Sequence, residues 1–268
     1  MYRRPPLATS LIDEGRGPAL LFLHHFGGSG RSWRGVIDRL SGRHRCIAPD
    51  LPGFGRAAGH SGPFTTGATA AGIVALIERL GLEDYRIIGH SMGGKIALAV
   101  AALQPYGLRG LILVAPSPPT PEPIGDADRA HLLGSSGDQV AMAAVIEKII
   151  VRRLSPSDYE QQLTDMLAAS KPAWEAWLNQ GSREDISASL AKIRIPITIV
   201  SGDGDETIPA DVLRRELLQQ APTATLEMVA AAGHLLPVEA RDEVAFIIQR
   251  VIGRATGGQV TQFQEEPA

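Results

Sequence analysis

The sequence has a single cysteine in 268 residues, so Cys46 closes no internal disulfide. It sits in the apolar run Arg45-Cys46-Ile47-Ala48 and reads as a small core residue, not a reactive thiol. An excess of charge is lacking too. The 26 Lys and Arg stand against 29 Asp and Glu, a net charge of −3. That balance excludes the basic footprint of a nucleic-acid or anionic-membrane binder. No apolar run approaches the ~20 residues that cross a bilayer. Arg3-Arg4 is followed by no apolar stretch, so no secretory signal is expected, and a reduced, cytoplasmic setting is the default expectation. There is no internal repeat. Arg152-Arg153 reads as a solvated helix face.

Short apolar runs are present at regular intervals. Ala19 to His24, Arg45 to Ala48, Tyr85 to Ile88, Leu111 to Ala115 and Pro196 to Val200 have strand length and apolar, partly β-branched content, the continuous runs among them suiting strands buried on both faces, and Thr225 to Ala230 reads as a further strand. Leu7 to Asp13 is a further candidate ahead of them. Helical patterns lie between, at Ser32 to Leu40, Ala70 to Leu80, Lys95 to Leu103 and Ala210 to Gln220, with a last one at Val238 to Ile252. Such alternation predicts an α/β fold, a mostly parallel central sheet covered by helices on both faces. From Thr120 to Lys192 the strand rhythm stops. Gln139 to Leu154, Ser157 to Ser170 and Pro172 to Gln180 read as amphipathic helices separated by Ser155-Pro156 and Lys171-Pro172. A helical subdomain is therefore expected over residues 118–192, inserted into a core of residues 1–117 and 193–255. Residues 256–268 are polar and read as a tail.

One stretch carries chemistry. In Gly89-His90-Ser91-Met92-Gly93-Gly94 an apolar strand ends, a Ser follows, and an Ala- and Leu-rich helix begins. This strand-turn-helix context fits a Gly-x-Ser-x-Gly nucleophile turn. Glycines flank the Ser where a Cβ would collide. The helix start aims its N–H groups at the site, so the Met92 N–H can donate to an oxyanion. A serine hydroxyl needs a base, and the base needs a carboxylate to fix its tautomer. Sites in open parallel sheets gather at the C-terminal strand ends. Two such loops carry the partners: Gly202-Asp203-Gly204-Asp205-Glu206 and Gly233-His234-Leu235. Asp203 and Asp205 compete for the acid.

With His24-His25-Phe26-Gly27-Gly28 and Asp50-Leu51-Pro52-Gly53-Phe54-Gly55 added, the chain resembles the α/β-hydrolase superfamily from the Glu14-Gly15 turn to the last helix. The resemblance implies Ser91 as nucleophile, His234 as base and Asp205, four residues before Pro209, as acid. It makes the backbone N–H groups of Phe26 and Met92 the oxyanion hole. It makes the insertion a cap over the substrate pocket, and it gives His24 the task of holding the oxyanion loop. His25 departs from the family, where Gly is usual. It is either strained, if that position has positive φ, or a polar group of the pocket. His90 and Asp50 read as structural. Substrate-lining candidates are His25, Met142, Trp174 and Leu235, with Trp33, Trp177 and Met166 sharing the ambiguity between pocket and core.

The resulting expectation is a serine hydrolase of a small-to-medium carboxylic ester or lactone, with no metal or cofactor. Its partner is a small-molecule acyl substrate, with no nucleic acid and no membrane, and the protein is a monomer or homodimer. The alternatives are a C–C bond hydrolase of aromatic catabolism, against which Leu235 counts because those enzymes commonly carry an aromatic there, and a cofactor-free perhydrolase. Ser91 in place of Asp argues against dehalogenase and epoxide-hydrolase relatives. A ligand-binding protein that kept the fold is the alternative outside enzymes.

Overall fold

The computed structural model describes residues 11–255; the expected tail and the first part of the Leu7 to Asp13 strand lie outside the described residues. Seven strands form one sheet: β1 Leu11–Glu14, β2 Ala19–Leu23, β3 Arg45–Pro49, β4 Tyr85–His90, β5 Leu108–Val114, β6 Ile197–Gly202 and β7 Ala224–Val229. Their order is β1-β3-β2-β4-β5-β6-β7. β1 runs antiparallel to β3, with Leu11 opposite Pro49, and every other pair is parallel. Every residue of β2 and β4 is buried, as continuous apolar runs require when helices cover both faces.

The pleat sorts these runs into two cores. Leu21, Leu23, Ile87, Leu111, Leu113 and Ile199 face one. Leu20, Phe22, Ile88, Ile112, Val114 and Val200 face the other. Helices α1 (Arg34–Leu40) and α10 (Arg241–Ala255) close the second core. Trp33 packs there, 5.1 Å from the Phe22 ring and 6.1 Å from the His90 ring. It is therefore core, not pocket. Cys46 is buried in the same core and burial pushes its thiol up to about 12, so it is no thiolate.

Helices α2 (Thr66–Arg79) and α3 (Met92–Ala102) cover the first core. α2 starts four residues before the expected Ala70, because the Thr65 hydroxyl accepts from the Ala68 N–H at 3.2 Å and caps it. Between β5 and β6 lie α4 (Asp126–Gly134), α5 (Gln139–Ile149), α6 (Pro156–Ala168) and α7 (Lys171–Asn179). α4 is too polar to show an apolar stripe in sequence. α5 ends at Ile149, not at Leu154, because the Glu239 carboxylate accepts from the Val151 and Arg152 N–H groups that follow. Asp138, Ser155 and Ser170 cap α5, α6 and α7. After β6, α8 (Ala210–Leu213) continues as a wider turn through Leu218. The expected final helix is two pieces, α9 (Leu236–Glu239) and α10.

The turn between β4 and α3 leaves no room for side chains beside Ser91. A Cβ on Gly93 would stand 2.4 Å from the Leu23 carbonyl oxygen, and one on Gly89 would stand 2.5 Å from that of Gly93. Both contacts are with backbone, which cannot yield cheaply. Gly93→Ala should therefore destabilise the protein by roughly 1–3 kcal/mol or more, measured by urea unfolding. A variant as stable as the parent would show that this turn is not the tight one described.

Candidate active site

Ser91 stands at φ 51° and ψ −116°, between the last residue of β4 and the first of α3. Its N–H donates to the Val114 carbonyl at 3.0 Å, and its own carbonyl accepts from Gly94 and Ser117. The hydroxyl is thereby pushed out of the sheet edge. It lies 2.9 Å from His234 Nε2, and His234 Nδ1 lies 2.8 Å from Asp205 Oδ2. An ionised carboxylate only accepts, so Nδ1 carries the proton and Nε2 is left to accept from the serine O–H. The other Asp205 oxygen accepts from the Thr207 and Ile208 N–H groups at 2.9 and 3.0 Å. The competing Asp203 is exposed. The three residues are buried, at 7, 4 and 5 % exposure.

Electrostatics follow from that burial. Loss of water pushes the His234 imidazole down, but the Asp205 carboxylate reverses this, with help from Glu122 and Glu239, and holds the ring above its ordinary value. His25 and His90 have no such partner. Burial and neighbouring imidazoles keep both well below the ordinary value, hence neutral. His90 Nε2–H donates to the His234 carbonyl at 2.8 Å and steadies the His234 loop from behind. His24 Nε2 accepts from the Leu51 N–H at 2.9 Å, and its Nδ1–H donates to the His25 carbonyl at 2.8 Å. It ties the Phe26 loop down. Asp50 does the same, accepting from the Gly30 and Arg56 N–H groups.

Among the described residues, no acceptor meets the N–H of Phe26 or of Met92. His25 is not in the left-handed region, so it is not strained. Its ring lies against Gly28, where a Cβ would come within 2.5 Å of it, and 4.9 Å from the His90 ring. No protein group bonds its buried Nδ1. A buried, unmet N–H is costlier than a bare lone pair, so the proton belongs on Nε2.

These groups open into a cavity of about 400 Å³ roofed by the insertion. His25, Phe26, Trp174 and Leu235 line it, as do Met166 and Trp177. Met142 does not. It sits a turn before Val145 on α5 and is packed into the core at 1 % exposure. Trp174 is fixed by its Nε1–H, which donates to the Leu132 carbonyl at 2.7 Å, and its ring lies 4.2 Å from Phe26. Residues invisible to motif reading complete the site. Glu122 lines the cavity. Lys95, fully buried, donates to the Thr120 and Glu184 carbonyls at 3.2 and 2.5 Å, the two ends of the insertion. Arg152 belongs to no helix face; it grips the Ala230 and Ala231 carbonyls beside the His234 loop. Only a lysine in an otherwise apolar helix hinted at any of this.

A family model described as the alpha/beta hydrolase family matches residues 20–245. The chain belongs to the alpha/beta hydrolase family. It is 29% identical to the magnesium-chelatase 30 kDa subunit of Rhodobacter capsulatus, over 91% of this chain and 90% of that one. It is 30% identical to a putative carbamate hydrolase of a Caulobacter species, covering 80% of this chain and 82% of that one. Among solved structures, a thermophilic esterase from Thermogutta terrifontis matches with a TM-score of 0.77 and 25% identity, over 91% of this chain and 93% of that one. Family and neighbours together make the protein a hydrolase. No described helix is long and apolar enough to cross a membrane.

The charge arrangement is directly measurable. His234 should titrate above the usual imidazole value of about 6.5, and Asp205→Asn should lower it, since burial alone then acts. His25 and His90 should stay neutral across the neutral range. Histidine NMR titration of the parent and of the variant decides this; a His234 that titrates lower in the parent than in Asp205→Asn contradicts the arrangement.

Proposed function

We propose that the protein hydrolyses neutral carboxylic esters or lactones through an acyl-enzyme on Ser91. The observation that carries this reading is the unbroken hydrogen-bonded line from Asp205 through His234 to the Ser91 hydroxyl, facing a largely apolar cavity. Ser91 Oγ attacks the carbonyl carbon while His234 Nε2 takes its proton. Asp205 keeps Nδ1 protonated and balances the imidazolium. The carbonyl oxygen, now anionic, receives the N–H groups of Phe26 and Met92, the latter at the positive end of α3. His234 returns the proton to the departing alcohol. Water then repeats the sequence on the acyl-enzyme and frees Ser91. His25 Nε2–H supplies a further donor to the acyl group.

The cavity wall favours an uncharged acyl group. Glu122 and Glu206 line it, although burial pushes the Glu122 carboxyl up toward its neutral form, and its lysine, Lys148, is paired with Asp128 at 3.1 Å. Oxidative opening of an aromatic ring leaves carboxylates on the product, and such a substrate would meet like charge here. This supports ester over C–C bond cleavage. A carbamate, the bond named for the Caulobacter relative, presents the same carbonyl to Ser91 and belongs in the same substrate panel.

Four measurements test the reading. Ser91→Ala should lower kcat by about a million-fold without loss of fold. An organophosphonate should label Ser91 alone. Asp205→Asn should cost about 10⁴-fold and Asp203→Asn little. Among p-nitrophenyl esters, neutral acyl groups should exceed the half-ester of a dicarboxylic acid by at least about tenfold in kcat/KM, the order set by one unpaired like charge in a poorly solvated site. Near-parent turnover by Ser91→Ala, or preference for the anionic ester, overturns the proposal.

A further inference from the structure

The carboxylate of Glu239 holds four backbone N–H groups. One oxygen accepts from Val151 at 2.8 Å, Arg152 at 2.9 Å and Gly233 at 3.0 Å; the other accepts from Leu235 at 2.9 Å. Gly233 and Leu235 are the neighbours of His234 on either side. Val151 and Arg152 belong to the insertion, immediately after α5. The N–H of His234 itself donates to the Ile149 carbonyl, the last residue of α5, at 2.8 Å. Three consecutive N–H groups around the imidazole are thus fixed, two by Glu239 and one by the insertion.

The same seam is sewn from the other side. Arg152 donates to the Ala230 and Ala231 carbonyls at 2.8 and 3.0 Å and to Glu243 at 2.7 Å. Gly233 allows the close approach. A Cβ there would lie 2.7 Å from the Ile149 oxygen and 2.8 Å from the Val151 nitrogen. This is also why α5 stops where it does: the N–H groups that would continue it are spent on a carboxylate from α9.

A carboxylate with this many charge-assisted bonds is one of the stronger polar anchors a protein makes. Its partners are not spread over the surface but converge on one imidazole and one helix end. We propose that Glu239 is a positioning residue that makes His234 and the α5 end of the insertion a single body, so that the wall of the substrate cavity sets the alignment of the base. The proposal rests on His234 being the base. Val145, Lys148 and Ile149 carry the consequence, since they line the cavity from α5. An acyl group that displaces α5 moves His234 off the Ser91 hydroxyl and loses kcat, where a detached lid would lose only binding. Small misplacements of a general base are costly.

Glu239→Gln keeps the shape, removes the charge and sets an amide N–H₂ against an N–H. Glu239→Ala removes all four bonds. The expected result is a fall in kcat of roughly 10- to 100-fold, larger in Ala than in Gln, with KM changed far less, and a steeper loss for bulky acyl groups. The acid limb of the pH–rate profile should move to lower pH in Glu239→Gln. The groups facing the imidazole are Asp205, Glu122, Glu239, His25 and His90, and deleting one carboxylate among them makes the neutral ring easier to keep. His234 titration by NMR reads the same shift without turnover, so it separates failure of this proposal from failure of the ester reading. Glu227→Gln, which breaks the Arg250 pair at the sheet edge, is the control for stability alone. If both Glu239 variants fold and keep the parent's kcat, acyl-size profile and His234 titration, or if they lose only stability as the control does, Glu239 is a structural tether and the proposal is overturned.

Discussion

A serine held at φ 51° and ψ −116° is the constraint on which the rest of the molecule depends. A non-glycine residue in such backbone costs on the order of 1–3 kcal/mol and stays there only if its surroundings leave no alternative. Here β4 and β5 hold one side through the Ser91 N–H to the Val114 carbonyl, and the start of α3 holds the other. Gly89 and Gly93 are the residues that let three backbones pass within van der Waals contact of that turn. The order of the sheet follows the same need. β4 lies at its centre, between β2 and β5. The loops that leave β2, β6 and β7 therefore arrive around Ser91 from both sides.

The insertion is part of this frame as much as a roof upon it. Asp165 on α6, fully buried, accepts from the Ser29 hydroxyl at 2.7 Å and pairs with Arg31, which fastens α6 to the loop that carries the Phe26 N–H. Gly27, at φ 78°, passes beneath Met166 and Trp174, where a Cβ would meet both side chains at 3.1 Å. Lys95 fastens the two ends of the insertion to α3. Burial lowers the proton affinity of its ammonium, opposed by Glu122, Glu184 and Asp185 nearby. It makes up part of that loss through carbonyl oxygens, the acceptors at hand where two chain segments cross. The helix after Ser91, the Phe26 loop and the His234 loop thus each have their own tie to the same insertion.

What could be read from the chain alone was local. Apolar runs of strand length were legible because burial on both faces leaves no other composition. The elbow was legible because a serine between two glycines stands where an apolar strand gives way to a helix; Gly89 answers to a collision with Gly93 close by, although Gly93 itself answers to Leu23 on β2. The family resemblance separated Asp205 from Asp203 by its distance to Pro209, and the fold gives that distance a physical sense: one oxygen meets the Thr207 and Ile208 N–H groups while the other meets His234. What failed was long-range. Met142 and Trp33 are the same kind of residue as Met166 and Trp174, and only tertiary placement decides which of them meets the cavity. Arg152 looked like one of many solvated arginines because its acceptors lie 78 and 79 residues away.

The end of α5 shows the limit in a single case. Helix propensity and the apolar pattern favour continuation from Ile149 to Leu154. In the folded chain the Ile149 carbonyl accepts from His234, and the Val151 and Arg152 N–H groups donate to Glu239. A neutral helical hydrogen bond nets about 1 kcal/mol, and a bond to a charged group about twice that. Those two bonds, together with the His234 bond to the Ile149 carbonyl, offset the turn of helix they replace. The local preference therefore yields at the place where the insertion meets the His234 loop. A break of this kind, propensity overruled by polar contacts from a distant loop, is not ordinary fraying, because the Val151 and Arg152 N–H groups it frees have a new partner at Glu239. It also identifies the junction as a feature of this fold that no window of neighbouring residues contains.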